Sequence, residues 1–184
     1  SARYTKALAR AMAHTKQVKS VFPLNNGFTA AYQGGDGVNL FTASGDGITG
    51  GDGHPLVSGG KNSNRPVTAA DLNETSLEAA VIQIGKWTDE RGLLIAARPK
   101  TLVIPPDLQF VATRVMKSDL RPGTADNDIN ALRSMNIISG GTVVNHYLTD
   151  TDAWFLLTDI PDGMKHFKRV ALETSMDGDF DTGN

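Results

Sequence analysis

The chain has 184 residues, of which 40% are hydrophobic and 21% charged, and its net charge is −2. This composition is typical of a globular protein, and the near-neutral charge argues against a dedicated nucleic-acid binder, which would be basic. The chain has no cysteine, which excludes disulfide scaffolds, thiolate zinc sites and cysteine nucleophiles. No apolar run approaches the roughly 20 residues that a membrane-spanning helix needs.

The two ends of the chain differ in charge. Residues 1–20 carry five basic residues and no acid, whereas residues 150–184 carry eight acids against three bases. The chain opens on Ser1 and stops in a polar run, so we expect it to be a fragment of a longer protein.

The first predicted element is a helix over residues 2–19. Its apolar positions recur at helical spacing, and they are Leu8, Ala11, Met12, Thr15 and Val18. The basic side of this helix is either a solvated face or a face directed toward nucleic acid or a partner subunit.

Residues 34–64 hold ten of the 19 glycines. Because glycine loses much backbone entropy on ordering, this composition predicts a long loop or extended arm and not a packed element. Gly45-Asp46-Gly47 and Gly51-Asp52-Gly53 resemble calcium-binding repeats, but they are two imperfect copies without the required period. The alternative function is therefore a monomeric ligand- or calcium-binding module that uses this loop. His54 is expected to be a solvated loop histidine.

From residue 71 the pattern alternates between helix and strand. Asn73 is a predicted N-cap of a helix that Gly92 ends, with Leu77, Val81, Ile84 and Trp87 as its buried stripe. Residues 100–104 are rich in β-branched side chains and predict a strand. Pro105-Pro106-Asp107 then predicts a helix start, and the inward positions of this helix are Leu108, Val111, Ala112, Val115 and Met116.

The remaining predicted elements are shorter. A short helix is expected to place Ile129, Leu132 and Met135 on one face. Strands are expected at 142–144 and 153–157, followed by a turn at 161–163. Residues 170–177 alternate between apolar and polar side chains, which predicts a half-buried strand.

Catalytic motifs are nearly absent from the sequence. No serine lies in a nucleophile-elbow context, and the four histidines are scattered. Phe180-Asp181-Thr182-Gly183 matches the aspartic-protease signature, but that catalyst needs two such aspartates that share a proton. We therefore expect no enzymatic activity, no cofactor and no metal; a hydrolase that depends on Asp181 is the rival hypothesis.

Several stretches resemble one protein family in the same order along the chain. The first is Arg98-Pro-Lys-Thr-Leu-Val-Ile-Pro-Pro-Asp-Leu-Gln-Phe-Val-Ala. The others are Phe41-Thr42 with His54-Pro55-Leu56, Asp89-Glu90-Arg91-Gly92, Arg121-Pro-Gly-Thr-Ala-Asp-Asn-Asp-Ile-Asn and Leu148-Thr-Asp-Thr-Asp-Ala-Trp-Phe-Leu. Together they resemble the major capsid proteins of tailed bacteriophages related to the Mu-type major head subunit, over most of residues 20–184.

The resemblance implies an α+β fold of the Hong Kong 97 type. Residues 71–160 would form the axial domain, a central sheet flanked by helices. Residues 1–70 would supply a peripheral-domain helix and a glycine-rich extended loop, and residues 161–184 a return strand toward the peripheral domain. The glycine-rich insert at residues 44–53 departs from the compact form of the family.

The resemblance also implies a structural function. The protein would assemble with itself into pentamers and hexamers of an icosahedral shell that encloses double-stranded DNA. Scaffolding, portal and decoration proteins would be further partners, and contact with packaged DNA would be weak and non-specific. The protein would be made in the bacterial host cytoplasm and would reside in the virion. Candidates for subunit contacts lie in one of the quoted runs and are Arg121, Asp126, Asn127 and Asp128.

Overall fold

A three-stranded mixed sheet organises the chain. The computed structural model describes residues 2–45, 47, 51–123, 125, 127–161, 163–170 and 173. The central strand β3 (Pro99–Ile104) runs parallel to β4 (Thr142–Val144) and antiparallel to β5 (Phe155–Thr158). Leu102 lies opposite Thr142 in one ladder and opposite Leu156 in the other. The fold is therefore of the α+β class.

The alternation of side chains along β3 divides the core into two clusters. Leu102 and Ile104 point to one face of the sheet and Val103 to the other, as the two-residue period of a strand requires. All three side chains are buried. Because both faces of the central strand are buried, its sequence is a continuous apolar run and not an alternation of apolar and polar residues.

The first cluster is built by the helices that follow and precede β3. They are α2 (Glu74–Gly85), α3 (Gln109–Lys117), which a 3₁₀ turn at Pro106–Leu108 precedes, and α4 (Ala131–Ser134). Leu77, Ala112, Val115 and Leu132 pack with the sheet side chains. The Asn73 side chain accepts a hydrogen bond from the Ser76 backbone N–H, so the predicted cap of α2 is confirmed.

The second cluster anchors a long N-terminal helix, α1 (Ala2–Asn26). Val21 and Leu24 pack with Val103, Leu148 and Phe155. The Asn25 side chain strengthens this anchor, because its Nδ2 donates to the Tyr147 carbonyl at 3.0 Å and its Oδ1 accepts from the Thr149 N–H at 3.1 Å. Among the described side chains of α1, the buried ones lie in its last two turns, at Val21 and Leu24.

The helix α1 continues seven residues past its predicted end, and its predicted apolar stripe is exposed. Residues 3–20 are all exposed, including Leu8, Met12 and Val18. The spacing of apolar residues predicts the helix correctly, but it does not show whether another part of the chain buries them.

The glycine-rich segment is more ordered than its composition predicts. It contains a hairpin of β1 (His54–Pro55) and β2 (Lys61–Asn62), and Thr42 and Ala43 are buried. Thr42 Oγ1 accepts from the Gly53 N–H and donates to the Gly51 carbonyl, both at 3.1 Å. Side-chain hydrogen bonds to the backbone thus hold the segment. The described part is mostly loop, as predicted, but the expectation that it does not pack is wrong at Asn39, Thr42 and Ala43, which are buried.

Two further expectations were wrong in detail. Helix α2 ends at Gly85, and Gly92 instead occupies a left-handed turn (φ +88°) between the bridged residues Thr88 and Leu94. Helix α4 buries Leu132 but leaves Ile129 68% and Met135 70% exposed, because its single turn begins after Ile129 and ends before Met135. The predicted strand at 170–177 lies outside the described residues except for 170 and 173.

Candidate interaction surfaces

The four histidines have different surroundings. His14 contacts the Tyr147 ring edge-on at 5.5 Å between ring centroids, and His146 and His166 are exposed. Within the part of the chain that the structure describes, no three His, Cys, Asp or Glu side chains could together hold a metal ion. Asp181 of the protease-like motif lies outside the described residues.

His54 is bound on both ring nitrogens and is not a solvated loop residue. Its Nδ1 lies 2.6 Å from Asp36 Oδ2, and its Nε2 lies 3.2 Å from the Leu40 carbonyl. Partial desolvation alone would raise the pKa of Asp36. The hydrogen bonds from His54 and from the Val38 N–H together lower it by more, so the pKa lies below its ordinary value. This pair fastens the start of the glycine-rich segment to strand β1.

Asp52 makes a second link within the same segment. Its Oδ2 lies 2.6 Å from the Lys61 ammonium nitrogen, and its Oδ1 accepts from the Gly45 N–H. The hydrogen bond from Lys61 lowers the pKa of Asp52, with a smaller contribution from Gly45. Since Asp36 and Asp52 already have internal partners, both carboxylates stabilise the segment, and their geometry gives no support to a calcium loop.

The loop that contains the four predicted contact residues is held at its base. Leu120 and Ile129 form an isolated bridge, and the Arg121 N–H donates to the Asp128 carbonyl at 2.9 Å. Arg121 Nε donates to Glu74 Oε2 at 2.9 Å, and this hydrogen bond raises the pKa of Arg121. The Asn127 and Asp128 side chains are exposed, whereas Asp126 lies outside the described residues. The structure thus brings Arg121 and Asp128 together at the base of one loop.

Large apolar side chains are exposed at the base of this loop and on the elements before and after it. Leu120 and Ile129 at its base are exposed, as are Phe110 on α3 and Met135 after α4. Their positions on neighbouring elements would suit a contact with another protein surface.

A groove of about 700 Å³ lies between α2, β5 and the segment before α2. Phe28, Phe41 and Phe155 form an aromatic cluster along it, with ring centroids 4.8 to 6.1 Å apart. Leu157 and Met164 are exposed along it. The acids that line it are also exposed, and they are Asp71, Asp150 and Asp152. We name this surface the aromatic groove.

The sequence did not predict the aromatic groove, because segments far apart in the chain form it. The signal that was available is the run Ala153–Leu157, which holds Trp154 and Phe155. The Trp154 indole N–H donates to the Ala70 carbonyl at 3.0 Å, which joins β5 to the segment before α2. Separately, no helix in the described ranges is long and apolar enough to cross a membrane.

Comparison with known proteins identifies one family. The model of the family described as phage capsid protein matches residues 2–184. No curated protein and no solved structure matches the chain.

Proposed function

The chain belongs to the phage capsid protein family, and from that premise we propose that it is a major capsid subunit of the Hong Kong 97 type, related to the Mu-type head subunit. In this proposal copies of the chain assemble into pentamers and hexamers of an icosahedral shell that encloses double-stranded DNA. The observation that carries the proposal is the family match, which extends over residues 2–184 and therefore over every described element. Proteins of this family are structural, and their location is the virion.

The exposed apolar surface supports assembly. Large hydrophobic side chains are exposed on α1, at residues 93–95 after the turn that follows α2, and at the base of the loop at 120–129. Extended apolar surface on a soluble protein usually marks a contact with another molecule. A shell subunit has neighbours on several sides, and that arrangement would cover several separate apolar regions at once.

The near-neutral charge is consistent with close packing of identical copies. A net charge of −2 over 184 residues produces little long-range repulsion between like subunits. Contact with packaged DNA would then be weak and non-specific. Scaffolding, portal and decoration proteins are further proposed partners.

The proposal also assigns roles to regions of the chain. Residues 71–160 would form the axial domain, and residues 1–70 and 161–184 the peripheral domain with its extended loop. We propose that Arg121, Asp126, Asn127 and Asp128 contribute to contacts between subunits. The support for this is that Asn127 and Asp128 are exposed on a loop whose base is fixed by Arg121.

Negative-stain electron microscopy tests the proposal. The protein is purified alone and also after co-expression with the genes that neighbour its own. Closed shells or ring-shaped capsomers are the expected result. A uniform monomer under both conditions would contradict a capsid function.

A further inference from the structure

The helix α1 has two apolar faces: one packs in the second cluster, and the other is exposed except that the Phe22 ring meets the Tyr32 ring edge-on at 5.0 Å between centroids. At about 100° per residue, the larger apolar side chains of its exposed part fall within an arc of roughly 120°, and they are Tyr4, Leu8, Met12, Val18 and Phe22. We name this set the α1 stripe. The anchoring residues Val21 and Leu24 lie roughly 145° away from its centre. The α1 stripe therefore points away from the core that anchors the helix.

An uncovered helix of this kind needs a partner. Residues 3–20 have no buried position, and the stability of an amphipathic helix in a protein comes mainly from packing of its apolar face. The α1 stripe spans about 27 Å from Tyr4 to Phe22, at 1.5 Å per residue. A groove that accepts several turns of helix is the matching surface.

We propose that the α1 stripe of one subunit binds in the aromatic groove of a second copy of this chain. The inference deepens the proposed function and rests on it, because it names one contact through which copies associate. The aromatic groove offers Trp154, Leu157 and Met164 to an apolar helix face. A helix that lies in an apolar groove is a common mode of protein recognition.

The charges of the two surfaces are complementary. On the helix, Lys19 lies within the arc of the stripe, and Lys16 lies about 40° beyond its Met12 edge. Along the groove, the exposed acids Asp71, Asp150 and Asp152 face solvent, and Arg65 is the basic residue on its lining. Opposite charges around an apolar contact favour encounter and fix its register.

Occupants from the same chain fit less well. The end of the subunit's own α1 already lines the groove through Leu24, while residues 3–20 of the same helix are exposed and do not line it. The segment 174–184 carries Asp177, Asp179 and Asp181 without a basic residue, so it would meet the acids of the groove with like charge. A second copy supplies both the apolar stripe and the opposite charge.

The absence of cysteine allows a direct test. We would prepare two single-cysteine chains, Met12→Cys and Leu157→Cys, at positions that are both 38% exposed. A disulfide between them in an oxidised mixture must join two copies. We expect about tenfold more of this mixed product than of the product from Met12→Cys with Phe110→Cys, because docking raises the local thiol concentration. Phe110 lies on α3, outside the groove.

Other occupants give different outcomes. Equal yields for the two mixtures would overturn the proposal. A Met12→Cys chain that crosslinks only with itself would assign the stripe to an α1–α1 pair and would also overturn it. The Leu157→Cys thiol can also be labelled at dilutions where the chain is monomeric. Slow labelling would show that the chain's own residues fill the groove, and it would likewise overturn the proposal.

A charge exchange supplies a second measurement that leaves the apolar surfaces intact. Lys16→Glu and Asp152→Lys should each weaken association of the protein about tenfold, and a mixture of the two variants should recover much of the loss. An association unchanged by either variant would contradict the proposed register.

Microscopy of the same samples separates this inference from the proposed function. Shells or rings without the mixed disulfide would overturn the inference and leave the capsid function standing. The mixed disulfide in dimers that never form rings or shells would support the inference and contradict the capsid function.

Discussion

Arg121 Nε lies 2.9 Å from Glu74 Oε2, and this ion pair joins the first residue of α2 to a loop 47 positions later in the chain. The Glu74 side chain is 7% exposed, whereas that of Arg121 is 39% exposed. The carboxylate therefore depends on Arg121 for its partner more than the guanidinium depends on Glu74.

We expect Arg121→Ala to destabilise the protein, because it leaves a nearly buried carboxylate without its cation. Arg121→Lys keeps the charge but loses the geometry of the guanidinium, so it should recover part of the loss. Urea unfolding followed by circular dichroism measures both variants. Arg91→Ala, at an exposed turn position, is the control, and an Arg121→Ala midpoint equal to that of the control would contradict this role.

Asn127→Lys tests the proposed subunit contact separately from stability. Asn127 is exposed, and a lysine there would alter the charge of the loop without entering the core. We expect an unchanged urea midpoint together with fewer ring-shaped capsomers in micrographs. Normal capsomers from this variant would count against the loop as a contact between subunits.

Leu77 and Ile82 compare a buried and an exposed position on one helix. Leu77 has no exposed surface, while Ile82 is 57% exposed. Leu77→Ala should lower the free energy of unfolding by about 2–5 kcal/mol, since it leaves a cavity in the first cluster. Ile82→Ala should change it by less than about 0.5 kcal/mol. Similar losses from the two substitutions in thermal or urea unfolding would show that the core assignment is wrong.

Gly27 is required where α1 meets the glycine-rich segment. A Cβ at this position would lie 2.5 Å from Cδ2 of the Phe41 ring and 2.8 Å from the Pro23 carbonyl. We expect Gly27→Ala to destabilise the protein by about 1–3 kcal/mol through overpacking. Gly85→Ala is the matched control, because nothing lies within 4 Å of its added methyl group; calorimetry should find it neutral or slightly stabilising.

The pKa of Asp36 predicts a loss of stability in acid. Its pKa in the folded protein is below the ordinary value of 3.8, so the unfolded chain takes up the proton first as the pH falls. The contribution of Asp36 is fully present above 3.8 and is lost as the pH falls through the lower folded value. When the pH falls from 5 into more acidic conditions, the free energy of unfolding should therefore decrease less for the Asp36→Asn variant than for the unsubstituted protein.

Unfolding midpoints measured across this pH range check the sign. His54→Gln removes the imidazole partner of Asp36 and should also flatten the acid limb. Asp52→Asn alters a different ion pair, so its effect should add to that of Asp36→Asn. Identical pH profiles for the Asp36→Asn variant and the unsubstituted protein would contradict the assignment.

The features that the sequence predicted correctly are those that neighbouring residues determine. The strand predicted at 100–104 and observed at 99–104 follows from its β-branched run, the cap of α2 from Asn73, and the start of the next helix from Pro105-Pro106-Asp107. In each case the determining groups lie within a few positions of one another. Local propensity and local hydrogen bonds are then sufficient.

The features that the sequence missed depend on contacts between distant positions. The Asp36 and His54 side chains pair across 18 positions, and the Thr42 N–H donates to the Asn64 side chain across 22. Composition predicts the loop, but it cannot predict these hydrogen bonds within it. The exposure of Met12 also has no local signal, because apolar spacing predicts a buried face without naming what buries it.

The position of β3 in the chain affects how the protein is made. Its partners β4 and β5 both follow it, and its last ladder closes only at Thr158, 54 residues after Ile104. At a translation rate of about 5–20 residues per second, roughly 3–11 s pass between the two positions. The most buried strand has both edges unpaired until Val144 completes β4, and one edge unpaired until Thr158. In that time it is open to aggregation or to binding by a chaperone. Soluble yield should therefore respond to translation speed and chaperone supply more strongly than equilibrium stability alone would indicate.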